Sequence, residues 1–446
     1  MRKILAILLV SAMPSLGAIS ANSVFEVRTT GSDSNGGFFV TGSGGTDYSQ
    51  QDSCQATGTV TSASTTVTAT SNIFTSAMVG NGITDGTIWR EIKTVTPPNV
   101  LTVDAAPSWT AASICVGGAL ASPGKAAGLM VGGNVGWLKY SATPYSVTTT
   151  SSNLANGVIS LPAGGVSSDT SLVGYQTTRG DYGLSPLIQA SGISGTFTLI
   201  TGTTKSFVAG VSIDCASLGT GIGVNGVTWL VRSKVSNCTS VGVGTSTGNA
   251  VAVEAVSCAT GIRAVNAIYC VAHGCSTTGF RSQFDYYSIS YSNSGAGFQI
   301  SQTGMAVGCI AYGNTGAGFS DPGGNQGVFF INSIAVNNTG AGFSGTSNVN
   351  SNYFQNCAAY NNTGGTGFGS GGVQIGTITL SGDPYVSGST GNFALSLTGT
   401  AYGSPLKAAG YPATMPGGST ANYADVNAVQ HQDSGGGNTY IFPIFK

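Results

Sequence analysis

Cys309-Ile310-Ala311-Tyr312-Gly313-Asn314-Thr315-Gly316-Ala317-Gly318-Phe319 is the stretch that decides the fold. Its pattern, small–aliphatic–Ala–aromatic–x–Asn–x–Gly–x–Gly–Phe, returns in residues 333–343 and, one residue longer, in 357–368. It is present earlier in 270–280 and 288–298. The apolar residue after the last Gly marks each unit: Ile222, Val243, Ile262, Phe280, Phe298, Phe319, Phe343 and Phe368, spaced 21, 19, 18, 18, 21, 24 and 25 residues apart. A near-constant period of about twenty means a solenoid, because one unit cannot bury its own apolar face and must stack on its neighbours. Helical solenoids need longer repeats with a sustained 3.6 period, and leucine-rich repeats need a leucine framework; neither is here. The units are rich in Gly, Ser, Thr and Asn, with apolar runs as short as Val328-Phe329-Phe330-Ile331. The expectation is an all-β chain, a right-handed parallel β-helix (β-solenoid) whose coils advance about 4.8 Å each.

In such a stack, a residue type that recurs once per coil sits above itself. Asn293, Asn314, Asn338 and Asn362 then form a column whose amides bond along the stack. Each Gly before the Phe is expected to supply a backbone angle closed to other residues. Cys270, Cys309 and Cys357 share a column with Ser288 and Ser333, which small stacked residues explain better than a metal site.

Around the repeat, residues 1–21 read as a signal peptide: Arg2 and Lys3, then the apolar Ile4 to Val10, then small residues. Cleavage makes the mature chain exported, with no stable membrane span; a retained amino-terminal anchor is the lesser alternative. Residues 22–56 read as an N-terminal cap and 57–118 as a small antiparallel β insert, with alternating Val, Thr and Ile between turns. Residues 119–380 carry the β-helix, opened by a capped helix near Ser122, and 381–446 form a C-terminal cap and tail. Nine Cys are an odd number, so at least one thiol is free; Cys54 and Cys115 are the disulfide candidates. Without the leader, 13 basic and 16 acidic residues remain, a net charge of −3. No basic stripe exists, which argues against nucleic-acid binding.

Gly31-Ser32-Asp33-Ser34-Asn35-Gly36 resembles the opening Gly-Ser-Asp-x-Asn-Gly motif of secreted β-helix proteins of the pectate-lyase-like superfold. Residues 174–181, Gly-Tyr-Gln-Thr-Thr-Arg-Gly-Asp, look like an early coil of that group. Phe393-Ala394-Leu395-Ser396 and residues 423–430 resemble its closing motifs, the second degraded at Asn427. Several chains of this kind resemble phage tail spikes and adhesins, which implies a polysaccharide or cell-surface glycan as partner, a homotrimer, and an extracellular, cell-surface or virion location. The superfold hosts lyases, hydrolases, adhesins and spikes alike, so the resemblance implies a fold and not an activity.

The chemistry expected of an enzyme is thin. A lyase of this group needs an acidic cluster for calcium and a cationic residue beside the uronate. Between Gly221 and Phe368 the acids are Glu254, Asp285 and Asp321. Arg263 and Arg281 hold matching positions on adjacent coils and suit an anionic sugar, although Asp285, four residues on, reads more simply as a surface partner for Arg281. There is no Asp-Asp pair, and Glu254 stands alone in its column, so the two carboxyls of an inverting hydrolase are not in one chain. Arg179-Gly180-Asp181 reads as a turn.

One further column holds His273, Tyr291, Tyr312 and Tyr360, on the same strand face as Val271, Ile289, Ile310 and Ile334. We read that face as inward core; pointing outward, it would be a saccharide platform or a subunit interface. The expectation is therefore an exported, non-catalytic β-helix for surface attachment or glycan recognition, without cofactor. The alternatives are a polysaccharide lyase or hydrolase, with calcium in the lyase case, and a structural fibre or virion component.

Overall fold

The computed structural model describes residues 19–148, 159–165, 168–244, 248–321, 327–345, 352–368, 372–398, 400–407, 409 and 427–428. The leader up to residue 18, and the closing motif at 423–430 apart from Asn427 and Ala428, lie outside them. The chain divides into two units, Met1–Ala121 and Ser122–Lys446.

In the first unit, six antiparallel strands between Ala56 and Val116 close into a barrel. Alternation fills it: Val60, Val67, Ile83, Ile92, Leu101 and Ile114 point inward and are buried. Cys54 and Cys115 are bonded across its mouth, with Cα atoms 5.4 Å apart. The Gly31–Gly36 motif is a backbone clamp. The buried Asn35 donates to the carbonyls of Asp52 and Ala119, and Asp33 accepts from the Ala121 amide. A Cβ on Gly31 would stand 2.5 Å from two carbonyl oxygens.

The second unit opens with a short helix, Pro123–Leu129, capped by Ser122 accepting from the Lys125 amide. It then winds into a parallel β-solenoid with three walls per coil. One coil runs through Asn266–Ile268 on the first wall, Val271–His273 on the second and the start of Thr278–Tyr286 on the third. The second wall is a sheet of eleven stacked strands, from Tyr145–Val147 to Ile378–Thr379. On each wall the middle residue of a strand points into the lumen and its neighbours point out. Ala255, Ala272, Ala311, Ala335 and Ala359 on the second wall are therefore fully buried. On the third wall Phe280, Phe298, Phe319, Phe343 and Phe368 stack ring on ring at 4.6–5.0 Å.

The register corrects one marker. Val243 pairs with Val224 and not with Ile222, so the first spacing is 19 residues, not 21. It also explains the uneven period. First wall to second wall is always five residues, as from Asn266 to Val271 and from Phe329 to Ile334. The corner there is held by a residue in left-handed conformation: Arg232, Ala252, Tyr269, Tyr287, Asn332 and Asn356 all have φ between 46° and 54°. The corner after the third wall is unconstrained and absorbs the extra residues: Phe280 to Phe284 is four, but Phe319 to Phe329 is ten.

The Asn column forms a continuous ladder, each side-chain amide donating to the next carbonyl oxygen at 2.8–2.9 Å from Asn293 to Asn362. The glycines before Phe have a different cause from the one expected. Gly279, Gly297, Gly318 and Gly342 are not at positive φ. A Cβ on Gly297 or Gly318 would instead sit 2.6 Å from the carbonyl oxygen of the next coil's glycine and under 3 Å from an Asn amide. These glycines are small because the Asn ladder runs against their backbone.

Candidate functional site

The structure distributes the seven candidate binding residues among three places. Asp285 points into the lumen, fully buried, and does not pair with Arg281; Ser282 Oγ lies 2.7 and 2.6 Å from its two carboxyl oxygens. A hydroxyl donates one hydrogen, so both contacts bond together when the carboxyl itself is protonated and donates one of them. Burial pushes its pKa up to about 7, against the bond from Ser282. The expected surface ion pair fails because Asp285 is the middle residue of its strand, in register with Ala267 and Ala306, and parity turns it inward.

Arg263 and Arg281 stand outside the third wall. Ile262 pairs with Phe280, so the two arginines, each the next residue, occupy adjacent coils about 4.8 Å apart. Both are exposed, and among the described residues neither has an ion-pair partner.

The aromatic column lies on the second wall and faces outward, because Ala272, Ser290, Ala311 and Ala335 between the two columns are the lumen residues. The expected inward core is thus overturned by parity, yet much of the ladder is buried all the same. The chain's own segment from Leu380 to Leu406 folds over it. Tyr385, Phe393, Leu395 and Leu406 pack on Ile310, Tyr312, Ile334 and Val336. Tyr312 donates to Asp383 at 2.8 Å, and burial together with that carboxylate pushes its pKa up to about 12. Phe393 meets Tyr291 and Tyr312 edge-on at 5.4 and 5.6 Å. Tyr360 stays half-buried beside this cluster. Nor is the uncovered end a sugar platform: His273 and Tyr291 stack on each other at 4.6 Å and 8°, so their ring faces are spent.

Beyond the covering segment, the second wall turns polar. His273 Nε2 lies 3.0 Å from Glu254 Oε1, and Lys234 Nζ lies 3.0 Å from its other oxygen. Burial works against the Glu254 charge, but the hydrogen bonds and charges of His273 and Lys234 outweigh it and hold the pKa below the ordinary value. Two coils earlier, Asp214 accepts from Gln189, Asn237 and the Ala216 amide, and these bonds overcome its burial and lower its pKa. The acids within reach are therefore committed to the ionised form, and the one near neutrality is sealed in the lumen. The Lys234–Glu254–His273 chain was missed in the sequence because its members sit on neighbouring strands in diagonal positions, 17 to 20 residues apart.

Asp181 turns its carboxylate onto the amides of Gln176, Thr177 and Thr178, so the Arg-Gly-Asp tripeptide is a turn closed on itself. Cys215 and Cys238 form a disulfide not expected from the sequence; the remaining five cysteines are buried thiols. Burial raises Cys258 to about 12 and Cys275 to about 11, which leaves them protonated and unreactive. In the barrel unit, a cleft of about 550 Å³ is lined mainly by Ser and Thr hydroxyls, and its acid, Asp85, is engaged by the amides of Thr87 and Ile88. Among the described residues, no cluster of three or more His, Cys, Asp or Glu is placed to hold a metal ion. No described helix is long and apolar enough to cross a membrane.

No protein family matches the chain in sequence, and no curated protein matches it. Among solved structures, pectate lyase Pel9A is similar at a TM-score of 0.46 and 15% identity, over 70% of this chain and 92% of that one. A Geobacillus virus E2 protein, ORF18, is similar at 0.34 and 13%, over 55% of this chain and 52% of that one.

Proposed function

We propose that this β-helix is an exported attachment protein that recognises an acidic glycan on its outer surface without cleaving it. The observation that carries this reading is the pair Arg263 and Arg281: two exposed guanidinium groups on adjacent coils, with no ion-pair partner among the described residues. A carboxylate lying between them accepts from both and removes their mutual repulsion. The absence of turnover follows from the carboxyls. General acid catalysis at a glycosidic oxygen needs a reachable acid with a raised pKa. Here Glu254 and Asp214 are lowered, and Asp285 is raised but buried.

The test is retention of the purified protein on immobilised polyuronate and neutral glycans, with and without calcium, while reducing ends and unsaturated-uronate absorbance are followed. Retention on the polyuronate, weakened by salt and reduced about tenfold by Arg263→Ala with Arg281→Ala (about 1.4 kcal/mol), is expected. Product formation on any glycan refutes the non-catalytic reading. Retention indifferent to the two arginines refutes the assigned site.

A further inference from the structure

The outer face of the first wall has a composition unlike the other two. Nine consecutive strands, from Ser206–Ala209 to Val373–Ile375, each present two outward residues in register. None of these eighteen positions carries a charge, and only Asn249, Asn266 and Gln355 are polar. The other fifteen are apolar or aromatic. Of the eight exposed large apolar side chains among the described residues, Trp229, Phe329, Val373 and Ile375 lie here, with exposures of 39–52%. Phe329 leans on Tyr353 at 5.7 Å but leaves its outer side open. The second wall differs: where its outward columns become apolar, the chain folds its own Leu380–Leu406 segment over them, and where they stay open they carry Lys234, Glu254 and Asp214. The first wall is apolar along its length, and no described segment covers it in that way.

We infer that this wall is a self-association face, and that its occupant is the same wall of a second copy. Eight steps of about 4.8 Å give a stripe about 38 Å long, and two outward columns with their side chains make it about 15 Å wide. The resulting face, about 600 Å² per copy, exceeds what a monomer commonly leaves exposed in one apolar patch and approaches the ~800 Å² per partner of a standard interface. The geometry favours a copy of the chain over an unrelated partner. Side chains stand in rows spaced by one coil, and rows of the same spacing on a second copy interdigitate with them along the whole stripe. A charge-free surface offers such a partner no desolvation penalty.

The experiment is light scattering behind size exclusion, from nanomolar to high micromolar protein, on the wild type and on Trp229→Lys with Phe329→Glu. Both side chains are already exposed, so the charges leave the coil intact; unchanged far-ultraviolet dichroism and melting of the dilute protein verify that. Thr277→Glu, an exposed site on the path to the polar third wall, is the control. The wild type and the control are expected at an integral multiple of the chain mass, and the double variant at the single-chain mass. A wild type that stays monomeric at high micromolar concentration overturns the inference, whether another segment of the chain or nothing covers the wall. So does an oligomer that the double variant leaves unchanged. Neither result depends on Arg263 and Arg281, so glycan recognition and assembly fail or stand separately.

Discussion

Replacing the lumen acid, Asp285→Asn, is expected to remove a pH dependence from the stability of the solenoid. Asp285 is fully buried and held by Ser282 alone among side chains, with its pKa raised from an ordinary 3.8 to about 7. Between those values the folded chain keeps a proton that the unfolded chain releases, so stability falls as pH rises through the window and levels off above it. About three pH units at 1.36 kcal/mol each give a loss on the order of 4 kcal/mol, a large part of the 5–15 kcal/mol that holds a typical domain together. Glu254 and Asp214 act in the opposite sense, since their lowered pKa values stabilise the fold above about pH 4.5 and the effect is lost on acidification. They are unchanged in the variant and cancel in the difference. Asn keeps the shape and one hydrogen bond to Ser282 but cannot ionise. Urea midpoints from pH 4 to 9 should therefore diverge. Near pH 4 the two proteins should differ by about 1 kcal/mol or less, the cost of an imperfect amide fit. Above pH 7 the variant should be more stable by about 3 kcal/mol. Parallel midpoint curves across the range would refute the argument, because they would mean that Asp285 ionises in the folded chain as it does in the unfolded one.

Two further substitutions test the packing. Gly318→Ala puts a Cβ about 2.6 Å from the carbonyl oxygen of Gly342, in the backbone of the next coil, and should cost about 1–3 kcal/mol in urea denaturation. A neutral result would show that the glycine is there for another reason than space. Phe393→Ala removes the ring that meets Tyr291, Tyr312 and Tyr385, and should loosen the covering segment. Tyr312 should then titrate closer to pH 10 than to about 12 in ultraviolet difference spectra, whereas an unchanged titration would mean that the segment is held in place without Phe393.

The candidate site was legible only in part. Arg263 and Arg281 were readable because equal spacing from the Phe marker puts them on adjacent coils, and the structure leaves both exposed as that spacing implies. Asp285 was misplaced because four residues from Arg281 looks like a local pair, whereas a strand turns successive side chains to opposite faces. The Glu254–His273 contact was not legible. It joins neighbouring strands on a diagonal, and a repeat read column by column does not show diagonals.

What the sequence by itself determined is the solenoid, its Asn ladder and its stacked Phe column. Each is a nearest-neighbour property of coils that repeat, and a repeat is visible wherever a residue type returns at the period. The tertiary structure alone decided which way the His273–Tyr360 column points and what lies on it. Direction depends on where the corners fall, at positions such as Tyr269 and Tyr287 in left-handed conformation, and residue types there vary from coil to coil. Cover depends on Tyr385 and Phe393, 73 and 81 residues after Tyr312, folding back onto a wall already built. No periodicity records such a contact, because it is made once.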